Sequence, residues 1–401
     1  MTPEVKKRIE QLRHGIVPEG YKRTKAGIYP EDWKEYTLGD IYTERKEPGN
    51  ENLPLLMVSI HSGVSDGEVD EAELPKKVKR IEDKSQYKRA ASGDLVFNMM
   101  RAWQGAIGTV RTEGMVSPAY IVAEPNGLVD PLFMDYYMKT ARMIHTIHRQ
   151  SYGVTDFRLR LYWDSFAPIR CVLPTVVEQH RIAEIFTAQD KVIELKEKLL
   201  AEKQRQKKYL MQSLLMGNKR LSGFTEEWTS MKLGDIGIFY QPSTISQEKL
   251  VSSGYPVFGA NGQIGFYTEY NHVTEQILIT CRGATCGCVN ISKPYSWING
   301  NAMVFNVESN TQCSKRFMFH LCDELDFRRI VSGTGQPQIT AGPLESFVVS
   351  IPLLEEQSEI AMVLDVMDKE IGLLEQGLEQ EKQKKKALMQ LLLTGIVRVN
   401  A

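Results

Sequence analysis

Residues 174–217 and 352–395 align without a gap at an offset of 178. Glu178-Gln179 matches Glu356-Gln357, Asp190 matches Asp368, Met211-Gln212 matches Met389-Gln390, and Gly217 matches Gly395. A duplicated long helix, each copy preceded by a compact stretch, specifies two similar modules held apart at a set distance. The modules repeat more weakly. Glu31-Asp32-Trp33 with Leu38-Gly39-Asp40-Ile41 recurs as Glu226-Glu227-Trp228 with Leu233-Gly234-Asp235-Ile236, at an offset of 195. The larger offset puts an insertion in the first module and none in the helices. Variable loops on a fixed frame have that pattern.

Each helix carries a seven-residue register. Phe186, Ile193, Leu200 and Leu214 share it with Leu364, Ile371, Leu378 and Leu392, and Lys207 and Lys385 fill the remaining slot. A shared heptad predicts that the two helices, over about 178–216 and 356–394, pack as an antiparallel coiled coil. About 39 residues at 1.5 Å each make a rod of roughly 60 Å. Glu, Lys and Gln are too frequent in both helices for full burial inside globular domains.

At the N-terminus, Val5, Ile9 and Leu12 mark one face of a short helix stopped by Gly15. Gly15-Ile16-Val17 repeats as Gly395-Ile396-Val397. The chain thus begins on the tail of one repeat and finishes on a whole one, which predicts a circular arrangement with neighbouring termini. The expected organisation is an N-terminal helical segment (1–30), a first module (31–167), a central repeat helix (168–218), a second module (219–350) and a C-terminal repeat helix (351–401). The class is α+β: two α/β modules and two long helices, pseudo-twofold and circular. Short apolar runs such as Leu95-Val96-Phe97 and Ile277-Leu278-Ile279 read as strands between Gly, Pro, Asn and Asp turns, and 131–149 as helical.

Composition narrows the function. The 401 residues carry a formal net charge of −1. A lone DNA-binding domain is usually basic, so any nucleic-acid face must be local and a partner is expected to add positive surface. There is no apolar run of about 18 residues and no signal-peptide core at the start, so a cytosolic protein is expected. The cysteines at 281, 286 and 288 are spaced unlike a zinc site and read as reduced thiols. His145 and His148 have no third ligand nearby and read as surface or packing residues. No metal, cofactor or catalytic residue is expected.

Several motifs are missing. There is no P-loop, no [DN]-P-P-[YF], and no Asp with Glu-x-Lys cluster of a metal-dependent nuclease. Phe258-Gly259-Ala260-Asn261-Gly262 is not the cofactor loop of a methyltransferase. What remains is contact chemistry. Residues 76–89, with Lys76, Lys77, Lys79 and Arg80, form a charge run that suits phosphate backbone, or equally a solvated loop. Arg101 with Gln104, and Arg282 with Thr285, lie where a strand runs into a Gly-rich turn. Arg there suits guanine or phosphate, or an internal carboxylate. Gln336 and Gln338 match in position the stretch holding Tyr152 and Thr155, and Gln suits adenine edges.

Taken in order, twice over, these segments resemble the specificity subunit of type I restriction-modification systems. The residues that carry the resemblance are Trp33 with Leu38–Ile41, Trp228 with Leu233–Ile236, Tyr255–Gly262, Gly333–Gln338, Pro352–Gln357 and the Leu-Met-Gln…Gly helix ends. The resemblance implies two target-recognition domains reading the halves of a split site in double-stranded DNA. It implies that the paired helices act as spacer and as docking surface for two methyltransferase subunits, with motor and nuclease subunits joining for restriction. It also implies a non-catalytic chain in a prokaryotic cytoplasm, at the nucleoid. Tyr152-Gly153-Val154-Thr155 departs from the Gly-x-Gly-Gln of module two. Two other readings stay open here: a coiled-coil scaffold without DNA readout, and a nuclease or methyltransferase with unrecognised motifs.

Overall fold

The computed structural model describes residues 2–60, 63–65, 67, 83–153, 158–333 and 337–399. The chain divides into two compact units: Met1–Leu195 with Leu378–Ala401, and Lys196–Gly377. The division cuts both long helices, Val176–Leu214 and Leu354–Leu392. Both start two residues earlier than the heptads suggest, with Thr175 O and Leu353 O accepting the Gln179 and Gln357 amides. No helix among the described residues is long and apolar enough to cross a membrane.

In unit 1, a four-stranded antiparallel sheet has the order Tyr42–Arg45, Tyr120–Pro125, Leu95–Asn98, Ile107–Thr109. Its strands alternate core and outer faces, and Leu95, Phe97, Ile107 and Ile121 enter one core with Phe133 and Phe166. The first and last strands of the module, Lys34–Thr37 and Arg170–Leu173, pair antiparallel and bring its ends together. The helical segments expected near 131–149 are Pro131–Met138 and Ala141–Gln150. Thr140 makes the break: its hydroxyl accepts the Met143 amide at 3.3 Å and so caps the second helix.

Unit 2 repeats the plan. Ile238–Tyr240, Ala302–Asn306, Ile277–Thr280 and Val289–Ile291 form its sheet in the same relative order, and Thr229–Lys232 pairs with Val348–Ile351. A hairpin of Tyr255–Gly259 and Gly262–Tyr267 is added, with Trp297–Ile298 parallel to its first strand.

The Leu-Gly-Asp-Ile motif has a structural job in both units. Leu38 and Ile41, like Leu233 and Ile236, are buried. The Leu38 amide donates to Ile169 O at 2.8 Å, and the Leu233 amide to Phe347 O at 2.9 Å. Asp40 accepts from the Thr37 amide at 2.7 Å.

Within each unit the helix segments run antiparallel. In unit 1, Lys385 Nζ lies 2.5 Å from Asp190 Oδ1. In unit 2, Lys207 Nζ lies 2.5 Å from Asp368 Oδ1. Each repeated Asp therefore meets the Lys that interrupts the heptad of the other helix. Of the heptad residues, Phe186 and Leu392 join the core of unit 1, and Leu214 and Leu364 that of unit 2. Ile193, Leu200 and Ile371 are half-buried, and Leu378 is buried. Helix ends thus serve the module cores, and the middle stretches serve the helix pair.

The circular arrangement closes inside unit 1. Arg8 Nη1 donates to Ile396 O at 2.5 Å, and Tyr21 Oη donates to Gly395 O at 2.6 Å. The fold class is the one expected from the duplicated sequence.

Candidate nucleic-acid interface

In unit 2, three loops converge at the end of strand Ile277–Thr280. Thr280 Oγ1 donates to Ala260 O at 2.9 Å, and Asn261 Nδ2 donates to Thr285 Oγ1 at 2.8 Å, tying the hairpin tip to the Arg282–Thr285 turn. The Gly283 amide donates to Pro337 O at 3.1 Å, and the Ile339 amide to Cys281 O at 3.0 Å. These bonds attach the third loop, in which Ser332 and Gln338 exchange two backbone bonds of 2.9 Å each. Arg282 and Thr285 are exposed, and Gln338 is half-buried. Three loops tied by side-chain and backbone bonds make a platform with a cation, a hydroxyl and an amide on it, which is the kind of surface that reads base edges.

Unit 1 repeats the ladder and its anchor from different residues. The Leu161 amide donates to Met99 O at 2.9 Å, as Ile339 does to Cys281. Tyr152 and Arg160 exchange two backbone bonds, as Ser332 and Gln338 do. The ladders refine the match made from sequence to single residues. Tyr152 stands opposite Ser332 in the comparison, and the residue in Gln338's place is Arg160. Likewise Met100, not Arg101, follows the equivalent of Cys281. Arg101 and Gln104 are exposed on the turn that ends at Gly105. Tyr152 is 57% exposed, and its ring lies 5.4 Å from that of Tyr162. Sequence reasoning missed Arg160, although the offset of 178 that aligns the helices also sets it on Gln338. Lys76, Lys77, Lys79, Arg80, Thr155 and Gln336 lie outside the described residues.

The remaining titratable clusters are structural. His320, Asp365 and Asp368 bring three metal-capable atoms within 4.8 Å of one another. Cations of the chain already occupy the carboxylates: Arg316 Nη2 is 2.5 Å from Asp365 Oδ1, and Lys207 holds Asp368. Burial works to raise the Asp365 carboxyl, but bonds from Arg316 and His320 outweigh it and hold it below the usual value. Burial pushes the His320 imidazole down against the pull of Asp365. Among the cysteines, burial pushes the Cys286 thiol up, away from the thiolate a metal needs. His148 packs edge-on against Trp103 at 5.5 Å.

Comparison with known proteins now bears on this geometry. The family model for the type I restriction modification DNA specificity domain matches residues 225–382. The likeness is to type I restriction-modification specificity subunits, the family expected from the sequence. A putative type I restriction enzyme MjaX specificity subunit of Methanocaldococcus jannaschii is 25% identical over 95% of this chain and 97% of the relative. The EcoprrI specificity subunit of Escherichia coli is 32% identical over 31% of this chain and 30% of its own length. The crystal structure of a type I S subunit from M. genitalium shares the fold, with a TM-score of 0.62 at 15% identity over 90% of this chain and 96% of that one. A chain from work on complex assembly and conformational transition of the type I R-M system gives 0.53 at 19% identity, over 92% and 99%. Likeness to specificity subunits thus runs through both modules and both helices.

Proposed function

We propose that this chain is the sequence-specific DNA-recognition subunit of a type I restriction-modification complex. Each module, 31–167 and 219–350, reads one half of a split site in double-stranded DNA through its loop platform. The helices in 168–218 and 351–401 set the gap between the half-sites and dock two methyltransferase subunits, and residues 1–30 complete the circular repeat. Methyl transfer and cleavage belong to the methyltransferase and motor/nuclease subunits, and this chain supplies contacts alone. Its setting is the cytoplasm of a prokaryote, at the nucleoid.

The observation that carries this reading is a loop held by the same ladder pair and the same anchoring bond in both units, with different side chains, in a chain alike to a specificity subunit over 95% of its length. A common frame with exchanged side chains is what two readers of different sequences need. The test is base-resolved methylation mapping in cells that co-express the chain with its adjacent methyltransferase. The expected result is a split motif, two short halves around a fixed unread gap, whose gap shortens when one turn is removed from both helices. A continuous motif, or methylation independent of this chain, overturns the reading.

A further inference from the structure

The two ladders carry different side chains at one equivalent position. The backbone ladder sets Arg160 in unit 1 where Gln338 stands in unit 2. We propose that these two residues are the specificity-determining pair: Arg160 selects a guanine in one half-site, and Gln338 selects an adenine at the corresponding step of the other. The proposal rests on the DNA-recognition reading above and adds to it which residue reads and which base it prefers.

Three features of the site support the assignment. The backbone of both residues is fixed twice, by the exchanged pair with Tyr152 or Ser332 and by the next residue's bond to Met99 or Cys281. A side chain on such a frame is aimed by the fold, so its chemistry sets the outcome. Arg160 is exposed, and among the described residues its guanidinium meets the Tyr162 hydroxyl, 3.4 Å from Nη1. That bond is too long and too exposed to hold a guanidinium against a better acceptor pair. Beside it, Tyr152 and Tyr162 present a tilted aromatic pair on which a guanidinium or a base can rest. Guanine offers O6 and N7 to both arms of a guanidinium, while adenine offers an acceptor and a donor that match the Gln amide. Exchanging the two side chains therefore exchanges the preferred base without altering the frame.

The experiment uses the full chain co-expressed with its methyltransferase, as wild type, Arg160→Gln, Arg160→Ala and Gln338→Arg. Methylation mapping is followed by competition binding of the purified complexes to duplexes varied at each base. In Arg160→Gln, one guanine of one half-site should lose its preference by about 5- to 150-fold and shift toward adenine. The other half and the gap should stay unchanged. Gln338→Arg should shift one adenine of the other half toward guanine. A wild-type motif retained by Arg160→Gln overturns the proposal while leaving the DNA-recognition reading intact. So does weakening that is uniform over all sequences with a shallower salt dependence, since that assigns Arg160 to phosphate. Should Arg160→Gln abolish methylation, the binding competition and the still-readable half of unit 2 report whether the frame survives. Methylation that never depends on the chain sinks the recognition reading itself.

Discussion

Arg398 and Glu178 form a two-pronged ion pair, with Nε 2.8 Å from Oε1 and Nη2 2.7 Å from Oε2. Arg220 and Glu356 repeat it in unit 2, at 2.6 Å for both contacts. The partners are exchanged: each Arg follows the end of one long helix and each Glu stands at the start of the other. Both guanidiniums also lie over the module's tryptophan, Arg398 at 5.9 Å from Trp33 and Arg220 at 5.7 Å from Trp228. The Glu-Gln and Trp motifs of the repeat thus meet at one point in each unit.

Removing either Arg strands a carboxylate that is at most 3% exposed. Arg398→Ala should destabilise unit 1, by less than the loss of a fully buried pair because the guanidinium is partly solvated, and leave unit 2 untouched, and Arg220→Ala the converse. Hydrogen–deuterium exchange resolved by peptide checks this, because loss of protection should be confined to one unit. Arg398 also holds Asp32, at 2.8 and 2.7 Å, so its loss should be the greater.

The neighbouring glutamines act as clamps. Gln179 accepts the Asp130 amide at 2.9 Å and donates to Pro174 O and Leu128 O. Gln357 accepts the Ser314 amide at 2.9 Å and donates to Pro352 O and Gln312 O. Asp130 and Ser314 cap the first helix after the sheet in their units. Gln179→Ala or Gln357→Ala leaves a buried amide and carbonyls unmatched and should cost about 1–3 kcal/mol. Chemical denaturation should show a lower midpoint, whereas an unchanged one would argue that water enters and replaces the side chain.

His180 Nδ1 lies 2.9 Å from Asp130 Oδ2. The hydrogen bond to Asp130, aided by the charges of Asp130 and Glu184, raises the imidazole above its ordinary value. A raised folded value means that the folded state holds the proton more tightly. The stabilisation is therefore complete below the unfolded value of about 6.5 and is lost as pH rises through the folded one. An NMR titration of His180 should show the upward shift, and Asp130→Asn should remove most of it while keeping the cap.

Gly395 and Gly217 end the long helices at φ of +70° and +69°. A methyl group at Gly395 would come within 2.6 Å of the Pro30 ring, while at Gly217 the nearest atoms, in Trp228, are 3.6 Å away. Gly217→Ala should therefore cost about 1–2 kcal/mol of backbone strain. Gly395→Ala should cost more, because Pro30 must also move. Thermal melts of the two variants, compared side by side, decide whether the close approach matters.

The 178-residue repeat by itself determined the long helices, the heptads, the glycine stops and the circular order of modules, because all of these rest on local periodicity. It also marked Lys207 and Lys385 as interruptions without saying what they meet. Only tertiary structure placed Asp368 and Asp190 against them and put Arg398 on Glu178. The same holds at the candidate interface. Loops have no period, and the partner of a loop residue is chosen by backbone bonds to segments far away in sequence. The stretch holding Tyr152 matched the glutamine loop in position, and its ladder to Arg160 answers that of Ser332 to Gln338. The 178-residue offset sets Arg160 on Gln338, and the fold adds the backbone bonds that hold each of them.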